Sequence, residues 1–395
     1  MRSLKAASIL FMALSLLTLP GCWSSNEIED LAIYSGVAID EGDLSEVERG
    51  LEEKGGSYSK QNKITATVQI VPLKAGTKDE VKGKTSPYTN ISGAGDSLLE
   101  IFRQFSLRLN KPIIGHHLKI IVISSQLLKE RNIKQVADFM LRDNDIRPNV
   151  KIFVSQGEAM QILTTKLPDE VPSFFINDIV KNQFRSSKIM DPVQMTNLDA
   201  LMYSKQSFIL QTIVQAKRQL AFSGAGIIKG ETGKWIGHLT EEDVECINWL
   251  TNASSSGIIK ANNEEGDSIA YEVKGMKTRI RVHTEQDGRL IFQVRVESKG
   301  RISEDWSVEG NPSLSSYQKE AEKLFEQKLS MMMDHLLASM QDRYKVDVAK
   351  FCEIVRIQKP QLWKKVKSNW DETFSESTVN LDIHVNVTDY GSTTK

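Results

Sequence analysis

Residues 117–155, HLKIIVISSQLLKERNIKQVADFMLRDNDIRPNVKIFVS, hold the pattern that decides the fold of the first half of the chain. The nearly continuous apolar runs at 117–124 and 149–155 are typical of strands that are covered on both faces. Between these runs, apolar residues recur at the spacing of one helix face, at Leu128, Ile133, Val136 and Met140. A helix between two buried strands predicts a βαβ unit with at least partly parallel pairing.

Other parts of the chain show alternation of apolar and polar residues, which indicates strands with one solvated face, at 64–70, 289–300 and 378–387. Further strands are predicted near 256–261 and 269–284. We expect a hairpin from 64–70 to 85–91, and antiparallel pairing at 269–300 and 378–387. Helices are predicted at 98–109, at 240–253 after a capping box at Thr240, at 313–344 and at 360–372. The predicted class is α+β, with successive domains of mixed, mainly antiparallel sheets flanked by helices and some βαβ character in the N-terminal half.

This pattern divides the chain into four segments. They are a leader at 1–21, an N-terminal α+β domain at 22–205, a crossover or linker at 206–217, and a C-terminal α+β domain at 218–395. A further division of the last domain near residue 312 is left open.

The first residues have the features of an export signal. Arg2 and Lys5 are followed by an uncharged run over 6–19, and then by Leu19-Pro20-Gly21-Cys22. An apolar run of this length is too short for a membrane-spanning helix, which needs about 20 residues. Cys22 directly after a small residue resembles a bacterial lipobox, so we expect cleavage before Cys22 and attachment of diacylglycerol and an N-acyl chain there. Pro20 departs from the usual pattern, and an ordinary secretory signal or a buried first helix are the alternatives.

The charge balance gives the chain no strong overall field. The chain has 50 Lys and Arg against 51 Asp and Glu, so nothing favours nucleic acid. Cys246 and Cys352 have apolar neighbours, and we expect free buried thiols rather than a disulfide bond.

No motif predicts catalysis, a cofactor or a metal. The six histidines form no zinc motif, and neighbouring His116 and His117 would point to opposite faces of a strand. Two Gly-Ala-Gly segments lack the third glycine of a dinucleotide site. Ser57 and Lys60 match the spacing of penicillin-binding enzymes, but they lie in a polar loop, and we attribute the match to chance.

Residues 359–374, KPQLWKKVKSNWDETF, allow two interpretations. Apolar residues recur every four positions, at Leu362, Val366, Trp370 and Phe374, with Trp363 beside them and several lysines elsewhere on the helix. Such a helix can pack into a core with solvated lysines, or it can lie on a membrane surface.

Several segments together resemble one family. They are Gly21-Cys22-Trp23, residues 26–40 (NEIEDLAIYSGVAID), Gly226-Ile227-Ile228, residues 235–239 (WIGHL), Trp249-Leu250, and residues 358–363 (QKPQLW) with Trp370, Phe374 and the last alternating strand. Their order and spacing are similar to the Ger(x)C lipoproteins, which are the C subunits of spore germinant receptors in endospore-forming bacteria. Ser24 stands where an Asp is usual in that family.

The resemblance implies a lipid-anchored, non-catalytic subunit on the outer face of the spore inner membrane. Its partners would be two integral membrane subunits, one of them similar to amino-acid transporters. Nutrients would trigger the complex, and ions and dipicolinate would then be released. The resemblance brings no catalytic residues, and it leaves open whether this subunit contacts the nutrient.

Two other classes remain as alternatives. A solute-binding lipoprotein would deliver a ligand to a transporter and would have two regular α/β lobes around a cleft, against which the predicted antiparallel strands argue. A wall-active enzyme such as a muramidase would need a pair of carboxylates facing a cleft, which a sequence cannot show.

Overall fold

The computed structural model describes residues 30–42, 53–55, 63–72, 86–217, 219–308 and 310–391. In this part of the chain, ten strands form a first sheet: β1 (Ala32–Glu41), β2 (Ile64–Val71), β3 (Thr89–Gly95), β4 (Ile113–Ile114), β5 (Ile120–Ser124), β6 (Lys151–Ser155), β7 (Val193–Gln194), β8 (Phe208–Ala216), β9 (Gln219–Ile228) and β10 (Trp235–Leu239). Four strands form a second sheet: β11 (Gly257–Asn262), β12 (Ser268–Thr284), β13 (Leu290–Asp305) and β14 (Thr378–Asp389).

Eleven α-helices accompany these strands within the described ranges: α1 (Leu98–Phe105), α2 (Ser125–Glu130), α3 (Ile133–Arg142), α4 (Ala159–Thr164), α5 (Pro172–Ile179), α6 (Met195–Ser204), α7 (Glu241–Leu250), α8 (Ser315–Ala338), α9 (Phe351–Gln358), α10 (Pro360–Val366) and α11 (Trp370–Ser375). The predicted helix over 128–140 is two helices, because Asn132 caps a new helix with its side chain.

The first sheet has the order β10-β9-β8-β6-β5-β1-β2-β3, with β4 beside β1 and β7 beside β6. Its centre is parallel, because β1, β5, β6 and β8 run in one direction. Its two edges are antiparallel, and the predicted hairpin pairing of β2 with β3 is confirmed.

Both faces of the first sheet are buried, as the apolar runs predict. In β5, Ile121 and Ile123 face a core that α1, α2, α3 and α6 cover. Ile120 and Val122 face the opposite core, which α4 and α5 cover. Asp40 at the end of β1 accepts hydrogen bonds from the first amides of α4, and burial raises the pKa of its carboxyl to about 6.

Most of the segment predicted as a crossover or linker, 206–217, is strand β8. This strand pairs with β6 on one side and β9 on the other, in the interior of the sheet. Gln211 and Thr212 are two consecutive polar residues at its centre, and they interrupt the apolar pattern that would predict a strand. The Gln211 side chain is buried and donates hydrogen bonds to the carbonyl oxygens of Gly224 (2.9 Å) and Lys188 (3.2 Å).

The second sheet has the order β11-β12-β13-β14. The pair β11–β12 is antiparallel, and so is β12–β13, as predicted for 269–300. Strand β14 lies parallel to β13, which corrects the prediction for 378–387. The chain crosses back through the helices α8 to α11 before β14 starts, so β14 enters beside the start of β13.

The predicted α+β class with mixed sheets and flanking helices is confirmed. One core connects the two sheets: Ile209, Ala225, Ile227 and Leu239 of the first sheet pack with α7 and the inner face of the second sheet. The predicted division into domains, including the open division near residue 312, stays a prediction.

Candidate functional site

Cys22, the predicted lipid-attachment residue, lies outside the described residues, and so do Ser57 and Lys60. No helix within the described ranges combines the length and the apolar character that crossing a bilayer requires. Nor does the described part of the chain bring three His, Cys, Asp or Glu side chains into a group that could hold a metal ion.

The two cysteines of the described chain are free and buried, as predicted. Burial raises the pKa of the Cys246 thiol well above its ordinary value and also raises that of Cys352. The thiolate is the reactive form, so neither residue is placed to act as a nucleophile.

The basic stretch at 359–374 packs into the core of the second sheet. Trp370 and Phe374 are buried, and Leu362, Trp363 and Val366 are half-buried against the same core. The Trp363 and Trp370 rings meet edge to face, with centroids 5.4 Å apart. These contacts favour the core interpretation over a membrane-surface helix.

Helix α7 is the best candidate for a functional site, because it lies between the two sheets. A capping box starts it: Thr240 Oγ1 accepts from the Asp243 amide, and the Asp243 carboxylate accepts from the Thr240 amide. The helix then packs against β9, β12 and α8, and every residue from Asp243 to Leu250 is buried.

Hydrogen bonds attach α7 to the segment before β7. The Asn248 side chain donates to the carbonyl oxygens of Ser187 (2.7 Å) and Ile189 (3.2 Å). The Trp249 indole donates to Ser187 Oγ (3.1 Å) and to the Ser256 carbonyl oxygen (2.9 Å). Side chains of α7 therefore connect a segment of the first half to the start of the second sheet.

Glu245 is the unusual residue of this helix. Its side chain is 2% exposed, and burial raises the pKa of its carboxyl to about 7, while Lys188 acts in the opposite direction. The carboxylate accepts a hydrogen bond from the Ile258 amide. A Cβ on Gly257 would lie 2.5 Å from Glu245 Oε1, and Gly257 has φ of 142°, so this position requires glycine.

Beside Glu245 lies an open cavity of about 840 Å³. Six charged residues contribute to its wall: Arg185, Lys188, Glu242, Glu245, Lys260 and Lys328. Lys188 pairs with Glu241 (3.2 Å) and Lys328 with Glu242 (3.7 Å). The cavity is polar and ion-paired, and its wall offers no group with the geometry of a nucleophile and base.

A second set of contacts joins the C-terminal helices to the first sheet. Asp371 at the start of α11 pairs with Lys229 (2.8 Å), accepts from Ser207 Oγ (2.7 Å) and accepts from the Asp347 amide (3.2 Å). Lys229 also donates to the Lys345 carbonyl oxygen (3.0 Å). The C-terminal helices are thus fixed to the start of β8 and to the β9–β10 turn.

Comparison with known proteins decides the family. A model described as "Spore germination protein N-terminal domain" matches residues 24–215, and one described as "Spore germination B3/ GerAC like, C-terminal" matches residues 223–391. Spore germination protein YndF of Bacillus subtilis (strain 168) is 33% identical over 392 residues, which cover 98% of this chain and 96% of that protein. The chain belongs to the GerAC-like family of spore germination proteins.

Other GerAC-like proteins match over their full length. Spore germination protein B3 of Bacillus subtilis (strain 168) is 27% identical over 398 residues, which cover all of both chains. The crystal structure of the GerBC protein superposes with a TM-score of 0.61 at 24% identity, covering 92% of this chain and all of that one, and it supports the fold. The predicted membership of the Ger(x)C family is confirmed.

The first GerAC-like region ends at residue 215 near the end of β8, and the second starts at residue 223 within β9, so both contribute to the first sheet. We call helix α7 (Glu241–Leu250), with its hydrogen bonds to Ser187, Ile189 and Ser256, the α7 junction. It belongs to the second region but is bonded to both. The sequence indicated the capping box, yet it did not single out Glu245. The sequence does contain one indication that Glu245 is buried. It lies within EEDVECINWL, a helical stretch whose apolar residues occur on all sides.

Proposed function

We propose that this chain is a lipid-anchored, non-catalytic subunit of a nutrient germinant receptor on the outer face of the spore inner membrane. There it serves receptor assembly or germination signalling. The observation that carries the proposal is the match over 98% of the chain to a spore germination protein. The α7 junction supports it, because a chain whose two halves share a core can pass a movement from one half to the other.

The anchor is proposed at Cys22, from the apolar run and the Leu-Pro-Gly-Cys sequence. Two or three acyl chains hold a protein stably on a bilayer, at about 0.8 kcal/mol per buried methylene. The partners would be two integral membrane subunits, one of them transporter-like. A non-catalytic role is supported by the lack of a catalytic motif in the sequence. It is also supported by the buried carboxyls of Asp40 and Asp243, which accept hydrogen bonds from backbone amides and so have structural partners.

The solute-binding alternative has less support. Such proteins close two separable lobes around a ligand, whereas here β9 and β10 from the second family region complete the sheet of the first. Hinge closure would have to break that sheet or move it as one body.

The test uses spores that carry Cys22→Ala, with Cys246→Ala as a matched control for loss of a cysteine. We expect Cys22→Ala to reduce both nutrient-triggered dipicolinate release and the amount of this protein in the inner-membrane fraction, measured by immunoblot. The control should change neither. Normal release with normal membrane retention in Cys22→Ala spores would refute the anchor, and normal release from spores that lack the chain would refute the receptor role.

A further inference from the structure

One end of the first sheet gathers several loops. Strands β1, β5, β6 and β8 are parallel and start at this end, and β9 ends there beside the start of β8. We call this end the loop face and define it by five segments: 106–112, 115–119, 143–149, 203–207 and 229–234. The Ala32 amide at the start of β1 donates to the Pro112 carbonyl oxygen (2.9 Å), which places the start of β1 in the same face.

The start of β1 is also where the proposed anchor joins the folded chain. Ala32 follows Cys22 by ten residues, and ten residues span at most about 36 Å when fully extended. A lipidated Cys22 would therefore keep the loop face within this distance of the bilayer. This step rests on the proposed function.

Two side chains stand out from the loop face. Leu107 is 86% exposed and Tyr203 is 91% exposed, and they are the two most exposed large hydrophobic side chains among the described residues. Single exposed apolar residues are common on protein surfaces. Here both occur on the end of the sheet that the anchor approaches, and tyrosine is enriched where proteins meet the bilayer interface.

The loop face is basic although the whole chain is nearly neutral. Its five segments contain seven Lys or Arg and three Asp or Glu, and exposed Asp30 beside the start of β1 adds a fourth acid. The bases are Arg108, Lys111, Lys119, Arg147, Lys205, Lys229 and Lys234, and the acids of the five segments are Asp143, Asp145 and Glu231. Lys229 is paired with Asp371, but Arg108, Arg147 and Lys205 are exposed. A Lys or Arg near an anionic membrane surface strengthens binding by about five-fold.

We propose that the loop face lies on the bilayer surface, with Leu107 and Tyr203 in the headgroup region and Arg147 and Lys205 against anionic headgroups. The acyl chains at Cys22 hold the chain on the membrane, and the loop face sets its orientation. The occupant is the lipid surface itself, because the tether leads to this end, the charge is complementary to anionic lipid, and the exposed apolar groups are isolated tips rather than a continuous groove.

A fluorescent label at the tip of the face tests the proposal. The lipidated full chain with Leu107→Cys is labelled with an environment-sensitive dye and reconstituted into vesicles of phosphatidylcholine, with or without phosphatidylglycerol. Cys246 and Cys352 are buried and Cys22 carries lipid, so one thiol reacts. The control label is at Ile357→Cys, which is 68% exposed on α9.

We expect a blue shift of the dye emission at position 107 on vesicles with phosphatidylglycerol, and none at position 357. Arg147→Glu with Lys205→Glu should abolish the shift while the protein still floats with the vesicles. Removing two bases weakens the contact by about 25-fold, and reversing them weakens it further. Lys277→Glu with Lys299→Glu, two exposed lysines of the second sheet, should leave the shift unchanged.

Each other outcome has a separate meaning. Flotation with a water-like emission at position 107 overturns the loop-face proposal and leaves the anchor intact. Failure of the unaltered chain to float, equal to that of Cys22→Ala, overturns the anchor and the loop face with it. A shift that occurs in native spore membranes but not in lipid vesicles assigns the face to a membrane subunit and also overturns the proposal.

Discussion

Glu245→Gln should make the protein more stable above neutral pH and leave its stability unchanged below pH 4.5. The raised pKa means that the folded state binds a proton more tightly than the unfolded chain does. The shift from 4.5 to about 7 corresponds to about 3 kcal/mol, at about 1.4 kcal/mol per pKa unit. Glutamine keeps the size of the side chain and an oxygen for the Ile258 amide, but it never carries a charge.

The direction of the pH effect follows from which state holds the proton. Below pH 4.5, Glu245 is protonated in both states, so the two proteins should have equal free energies of unfolding. Between pH 4.5 and about 7 the unaltered protein loses stability relative to Glu245→Gln, because only its unfolded state ionises freely. Above pH 7 the difference in the free energy of unfolding between the two proteins stays at its full value. Asp40 also has a raised pKa, but it is present in both proteins and cancels in the comparison.

The assay is thermal unfolding of both proteins from pH 4.5 to 8.5. Entropies of unfolding of about 2 cal/mol/K per residue, over a unit of about 370 residues, convert 3 kcal/mol into about 4 °C. Glu242→Gln is the matched control, because Glu242 is in the same turn of α7 but exposed, and it should give no such rise. Parallel pH curves for the unaltered protein and Glu245→Gln would refute the reasoning.

Two packing substitutions test the junction and the first sheet. Trp249→Ala should lower the free energy of unfolding by about 4 kcal/mol, because it removes a fully buried indole and its two hydrogen bonds. Gly226→Ala should cost about 2 kcal/mol or more, because the added Cβ would lie 1.7 Å from a Trp235 ring carbon and the ring must move. Denaturant unfolding measures both.

Matched substitutions separate these effects from general damage. Trp249→Phe keeps most of the packing and should cost clearly less than Trp249→Ala; equal losses would mean that the hydrogen bonds dominate. Gly275→Ala has open space around its added Cβ and should be nearly neutral. A neutral Gly226→Ala would contradict the observed contact with Trp235.

Much of the fold could be predicted because it depends on local pattern. The runs that form β5 and β6 are apolar throughout, and burial on both faces leaves few other structures for them. Strand β8 could not be predicted, because its centre is polar and Gln211 there is stabilised by hydrogen bonds to residues that are distant in sequence. The direction of β14 could not be predicted, because a long crossover can return to either end of a sheet. No local sequence feature indicates the end at which β14 starts.

The site was less accessible to sequence reasoning. The start of α7 could be predicted from Thr240 and Asp243, whose hydrogen bonds are local. The shifted pKa of Glu245 depends on burial by a helix, a strand and a segment that are all distant in sequence. The exposure of Leu107 and Tyr203 likewise could not be read from residue types, because most leucines and tyrosines among the described residues are buried or half-buried.

The sharing of one sheet by two family regions has a kinetic consequence. Residues up to 217 leave the ribosome before β9 and β10, and until these strands arrive, the backbone groups along the outer edge of β8 have no strand partner. At about 5–20 residues per second, the missing 22 residues take about 1–4 s to appear. During this interval the nascent chain presents a sheet edge that can pair with another chain. A fragment cut at residue 215 would keep that edge permanently, so aggregation is the expected fate of the isolated N-terminal region.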